Sequence, residues 1–140
     1  NVALIPWGAN IDPVPKPDDL RGLQADTPVE LLFIGRDWYA KGGPIALAVM
    51  QDLNARGLPA RLTIVGCTPE GVEPSESVAI IPQLDKSKAE DMATFRDLFQ
   101  QAHFLINPSF ESFGFAYCEC STFLIFQSDK SKIRWRNWLF

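Results

Sequence analysis

Two short stretches of this chain carry residue types that could do chemistry. The first is "GRDWYAKGG", residues 35–43. Gly35 lets the backbone approach a ligand closely, Arg36 offers a planar fork of donors, and Lys41 offers a mobile ammonium. The two glycines that follow are expected to leave the amides of the next helix accessible, which would complete an anion site suited to a diphosphate. An ordinary solvated charged loop accounts for the same residues.

The second stretch is "NPSFESFGFAYCE", residues 107–119, in which Glu111 and Glu119 are separated by seven residues. A helix is expected to start near Phe113. Ser112 or Gly114 would then leave free amides and a positive helix end facing outward. Glu119 would fall in the first turns, where a carboxylate can accept two hydrogen bonds from a vicinal diol such as a ribose. Glu111 precedes the helix, so the loop rather than helical spacing sets its distance from Glu119. Two surface glutamates that merely favour the helix dipole fit the same pattern.

The elements that must position these stretches are legible from periodicity. "VELLFIG" is a continuous apolar run ending in glycine, as expected of a strand buried on both faces, "ARLTIVG" is a second buried strand ending in glycine, and "SVAIIPQL" and "HFLINPS" are a third and a fourth. Between the first two lies "GGPIALAVMQDLNARG". Pro44 suits a first helical turn, Ala46, Met50 and Leu53 share a face, and Gly57 sits where a C-cap belongs. "SKAEDMATFRDLFQQA" is the second helix, with Ser87 and Glu90 spaced as a capping box and an apolar stripe of Met92, Phe95, Phe99 and Ala102. Uniformly apolar strands alternating with helices imply an α/β fold with a parallel sheet covered by helices on both faces. Ligands bind beyond the carboxyl ends of such strands. The loops at Gly35, Gly66, Pro82 and Pro108 all fall on that edge.

Composition narrows the function classes. The chain has 140 residues and a net charge of −4, which argues against nucleic acid as the main partner. No signal peptide or long apolar run is seen, so a reducing cytoplasm is the default. Cys67, Cys118 and Cys120 are odd in number, and the single histidine, His103, opens an apolar run. Structural thiols and a packed histidine are expected rather than a metal site.

In order along the chain, "IPWGANID", "GR" followed by "KGG", "LTIVG", "IPQLDK", a helix ending in "AHFLINPS", and Glu-Ser-Phe-Gly followed by Glu make a consistent set. In these, residues 1 to about 125 resemble the nucleotide-sugar-binding, C-terminal half of retaining glycosyltransferases of family 4, the group-1 type with the GT-B fold. The resemblance implies a Rossmann-like donor-binding domain over residues 29–125, preceded by an interdomain crossover and linker over 1–28. It implies that Arg36 and Lys41 neutralise the departing diphosphate of a UDP- or GDP-type donor, without a metal or other cofactor. Glu119 would hold the ribose and Glu111 would contact the transferred sugar beside its oxocarbenium-like transition state. Gly35 and Gly66 would admit the donor, amides around Ser112, Phe113, Gly114 and Phe115 would touch phosphate or sugar, and backbone from Pro82 to Leu84 would flank the base.

Two departures from the family pattern bear on activity. The acceptor-binding N-terminal domain is not contained in this stretch, so a fragment with little or no activity of its own is expected. Residues 126–140 also depart from the family: the last eleven residues hold two of the four tryptophans and four basic residues. Read one base later, codons for "RWRNW" can encode Val-Gly-Gly-(Ile or Thr)-Gly, closer to the family, which suggests a shifted frame. A basic aromatic tail resting on a membrane surface is the competing account. A sheet truncated there would keep an unpaired edge and favour self-association. Rival functions are a stand-alone nucleotide-binding or interaction module, and a nucleotide-sugar epimerase or phosphorylase of related architecture.

Overall fold

The computed structural model describes residues 27–108, 116 and 126–128. Strand β1 (Val29–Ile34) leads into helix α1 (Gly43–Ala55), followed by β2 (Ala60–Val65) and β3 (Val78–Ile81). Helix α2 (Ala89–Gln101), β4 (Phe104–Ile106) and β5 (Phe126–Ser128) complete the series. The five strands form one sheet in the order β3-β2-β1-β4-β5, and every neighbouring pair is parallel. The all-parallel α/β sheet is the one expected from the apolar runs, and its strand order is Rossmann-like.

Alternation along β1 divides the core into two layers, because successive side chains of a strand point to opposite faces. Leu31 and Phe33 pack with Leu62, Ile64 and Ile106, and with Ala46 and Met50 of α1. Leu32 packs with Val65 and Leu105, and with Phe95 and Phe99 of α2. The helices therefore cover opposite faces, and both sides of β1 are buried. Each fully buried Phe or Leu contributes about 1.5–3 kcal/mol. On the α1 face the rings of Phe33 and Trp38 meet edge to face at 5.1 Å. On the α2 face Phe95 and Phe99 do so at 4.6 Å.

Helix α1 ends as its glycine foretells. Gly57 has φ +79°, its N–H donates to the Asn54 carbonyl at 3.0 Å, and the Leu58 N–H donates to the Leu53 carbonyl at 3.0 Å. That pair of bonds is a Schellman closure. Helix α2 does not begin as expected. Its N-cap is Lys88 with no side-chain cap, and the Ser87 hydroxyl donates to Asp85 Oδ1 at 2.7 Å instead of capping. The reach-back comes from Asp91, whose Oδ2 accepts the Asp85 N–H at 2.9 Å. The capping box of Ser87 and Glu90 is thus replaced by a turn around Asp85, because a nearby carboxylate competes for the serine hydroxyl.

Strand β5 adds an element not foreseen. Phe126, Gln127 and Ser128 pair in register with Phe104, Leu105 and Ile106, so the first three residues of the atypical stretch belong to the sheet. Of the crossover and linker expected over residues 1–28, residues 1–26 lie outside the described residues.

Candidate functional site

Strand order places the topological switch at β1. The chain leaves β1 through α1 to β2 on one side, and reaches β4 on the other side through α2. After β1 the chain turns to the β2 side of the sheet and after β4 to the β5 side, and ligands of open α/β sheets bind beyond the carboxyl ends of the strands at such a switch point.

At that edge the ladder runs on past the strands. The Gly35 N–H donates to the Val65 carbonyl at 2.9 Å, and the Gly66 N–H to the Ile81 carbonyl at 3.0 Å. Gly66 has φ +97°, and a Cβ there would lie 3.1 Å from the Gly35 carbonyl oxygen, so this close approach of two strand ends requires glycine. Asn107 is buried, and its Nδ2 donates to the Ile34 carbonyl at 3.2 Å, which ties the end of β4 to the end of β1.

Above these strand ends lies a cavity of about 740 Å³. Ile34, Val65, Leu84 and Phe95 give it an apolar floor. Gly35, Arg36 and Gly66 line it on the side of β1 and β2, and Gln83, Asp85, Lys86 and Ser87 on the side of β3 and α2. Arg36 is exposed there. The Lys86 ammonium sits 4.4 Å from the centroid of the Phe95 ring, within cation–π range. Ser87, by its hydroxyl first and its N–H second, holds the Asp85 carboxyl below the usual carboxylate range. Of the stretch that follows β4, Ala116 is described; it is helical, lines the cavity and packs against the Phe95–Phe99 layer.

Among the residues singled out from sequence, the structure brings Gly35, Arg36, Gly66 and Leu84 together around this cavity. Pro82 is exposed and stands next to the lining residues rather than among them. Lys41 is not part of the lining: a Cβ on Gly35 would fall 2.8 Å from Lys41 Cγ, so its aliphatic stem lies over Gly35. Glu111, Ser112, Phe113, Gly114, Phe115 and Glu119 lie outside the described residues.

The expectation of open amides at the start of α1 is corrected. The Gly43 N–H donates to the Trp38 carbonyl at 2.7 Å, Pro44 has none, and Ile45 and Ala46 both donate to the Gly42 carbonyl. In the loop before them the Ala40 N–H is taken by Asp37 Oδ1, and the Lys41 and Gly42 N–H groups by the Asp37 and Tyr39 carbonyls. The N–H groups of Ala40, Lys41, Gly42 and Gly43 are thus consumed by the turns of the loop itself, and Trp38 packs under Gly43. An anion here would meet side-chain charge rather than free backbone amides.

Sequence reasoning missed Asp85, Lys86, Ser87 and Phe95 as cavity residues. The signal for the first three was their place directly after an apolar strand, at the edge where ligands bind. Phe95 was assigned to the core stripe, which it also serves. His103 is remote from the cavity, at the opening of β4. Its Nδ1 accepts the Glu30 N–H at 2.9 Å while the His103 backbone N–H donates to the Glu30 carbonyl at 2.8 Å, as suits a packed histidine. Among the described residues no cluster of three or more His, Cys, Asp or Glu side chains could hold a metal ion. No helix among them is long and apolar enough to cross a membrane. Comparison of the chain with known protein families, curated proteins and solved structures finds no match.

Proposed function

We propose that this chain is the donor-binding part of a retaining glycosyltransferase, which moves a sugar from a nucleotide-diphosphate sugar to an acceptor hydroxyl. The observation that carries the reading is the cavity at the carboxyl ends of β1, β2 and β3, with its apolar floor and with Arg36 at its rim. Its volume of about 740 Å³ falls in the usual range for small-molecule sites.

In this reading the Arg36 guanidinium grips the diphosphate through paired N–H donors and stabilises it as it leaves. The apolar floor and the backbone at Leu84 accept the base. Lys41 adds positive charge from the loop above Gly35. Glu119 holds the ribose hydroxyls, and Glu111 faces the sugar where positive charge develops. Amides from Ser112 to Phe115 complete the phosphate or sugar contacts, and no metal is needed to balance the diphosphate. Ala116 in the cavity wall supports this assignment, since it lies between the two glutamates in sequence.

The test is a thermal-shift series without metal, using UDP, GDP, ADP and their sugar conjugates. A ligand at ~100 times its dissociation constant adds about 2.7 kcal/mol of apparent stability. A shift that disappears in Arg36→Ala and in Glu119→Ala is the expected result. A flat response to every nucleotide at millimolar concentration would reject the donor-site reading.

A further inference from the structure

The β3 side of the cavity carries a group that the diphosphate reading does not use. Asp85 is the one acidic side chain among the described residues that line it. Its main chain is pinned by the bond from its N–H to Asp91 Oδ2 at 2.9 Å. Its carboxylate is oriented by Ser87, whose N–H and hydroxyl both donate to Oδ1, at 3.0 and 2.7 Å. Oδ2 has no hydrogen-bond partner among the described residues, although two lone pairs remain to it.

The position of this carboxylate relative to Arg36 matters. Arg36 follows β1 and Asp85 follows β3, with β2 between them. Neighbouring strands lie about 4.8 Å apart, so the two strand ends are separated by roughly 10 Å. A nucleoside diphosphate can bridge such a span with its phosphates at Arg36, its ring over the apolar floor and its base edge at Asp85.

We propose that Asp85 reads the base of the bound nucleotide and selects one bearing an exocyclic amino group, guanine or adenine, over uracil. The inference rests on the nucleotide reading above. An ionised carboxylate only accepts hydrogen bonds. Guanine offers it an amino group beside an N–H, and adenine an amino group. Uracil offers a single N–H flanked by two carbonyl oxygens, and those oxygens are repelled by the carboxylate. Ser87 keeps the group ionised well into the acid range, so the selection holds at neutral pH.

The experiment is calorimetric titration of the full 140-residue chain with GDP, ADP, UDP and inosine diphosphate, each without metal. GDP or ADP is expected to bind at least about tenfold tighter than UDP, the scale of one hydrogen bond to a charged group. If the preferred base is guanine, inosine diphosphate, which lacks only the amino group, should lose most of that advantage in the wild-type protein. Asp85→Asn keeps an acceptor for Ser87 and turns a donor toward the base, so the preference should collapse or reverse toward UDP. Arg36→Ala should weaken all of them alike. Equal binding of GDP, ADP and UDP, or a preference unchanged in Asp85→Asn, would overturn the inference and leave the nucleotide reading standing. Binding of none of the four would reject the nucleotide reading and this inference with it.

Discussion

Gly42 is pressed against Pro108: a Cβ on Gly42 would fall 2.7 Å from the proline Cγ and 2.9 Å from its carbonyl oxygen. The loop after β1 and the loop after β4 thus touch across the switch point. Gly42 also has φ +77°, so a side chain there would be strained as well as crowded. Gly57 has nearly the same φ, with nothing within 4 Å of where a Cβ would be.

These two glycines make a matched pair. Gly57→Ala should cost about 1–2 kcal/mol, the penalty of a left-handed backbone alone. Gly42→Ala should cost roughly 2–4 kcal/mol, because the crowding against Pro108 adds to that penalty. Urea denaturation of both variants checks the difference. Equal losses would mean that the two loops can part without cost.

A second prediction concerns Asn54, near the end of α1. Its Nδ2 donates to the Ala60 carbonyl at 3.0 Å, and its Oδ1 accepts the Ala60 N–H at 2.9 Å. Ala60 opens β2 and is buried, so Asn54→Ala strands both of its backbone groups. The expected loss is roughly 1–3 kcal/mol, and Asn54→Asp, which keeps the acceptor and loses the donor, should fall between. A change of less than about 0.5 kcal/mol in Asn54→Ala would show that solvent replaces the bridge freely.

The strands and the helix-covered parallel sheet were legible because the centres of β1 and β2 are apolar and buried, Leu31, Leu32 and Phe33 in one and Leu62, Ile64 and Val65 in the other, even though Arg61 is exposed within β2. The end of α1 was legible because Gly57 has one conformational use there. The start of α2 was not: Ser87 has the residue type of a cap, and only the fold shows that Asp85 claims its hydroxyl. Gly42 and Gly43 were read as opening the helix to an anion. They serve packing, against Pro108 and under Trp38, a demand set by residues distant in sequence. Strand β5 has three residues, too few for a period to show, in a stretch whose composition pointed elsewhere. The cavity itself was half legible. Gly35, Arg36, Gly66 and Leu84 stand at strand ends where chemistry is expected, whereas Phe95 reaches it from a helix stripe that also fills the core.

The last prediction is a pH dependence at Cys67. Burial, and then the nearby Asp37 carboxylate, push its thiol above the ordinary value. The thiolate is the reactive form, so alkylation by iodoacetamide should be slow at neutral pH. In a chain carrying Cys118→Ser and Cys120→Ser, Cys67 should begin to react only above the ordinary thiol range. Asp37→Asn should shift that onset partway down, since burial, the larger cause, remains. The sign for stability follows from the same shift. The fold favours the protonated thiol, so its contribution is complete below the unfolded titration near pH ~8.5 and is lost as pH rises through the folded one. The urea midpoint should therefore fall more steeply as pH rises above the ordinary thiol range in the wild-type chain than in Cys67→Ala. Labelling at neutral pH as fast as that of a free thiol would show that neither the burial nor the carboxylate acts on this sulfur.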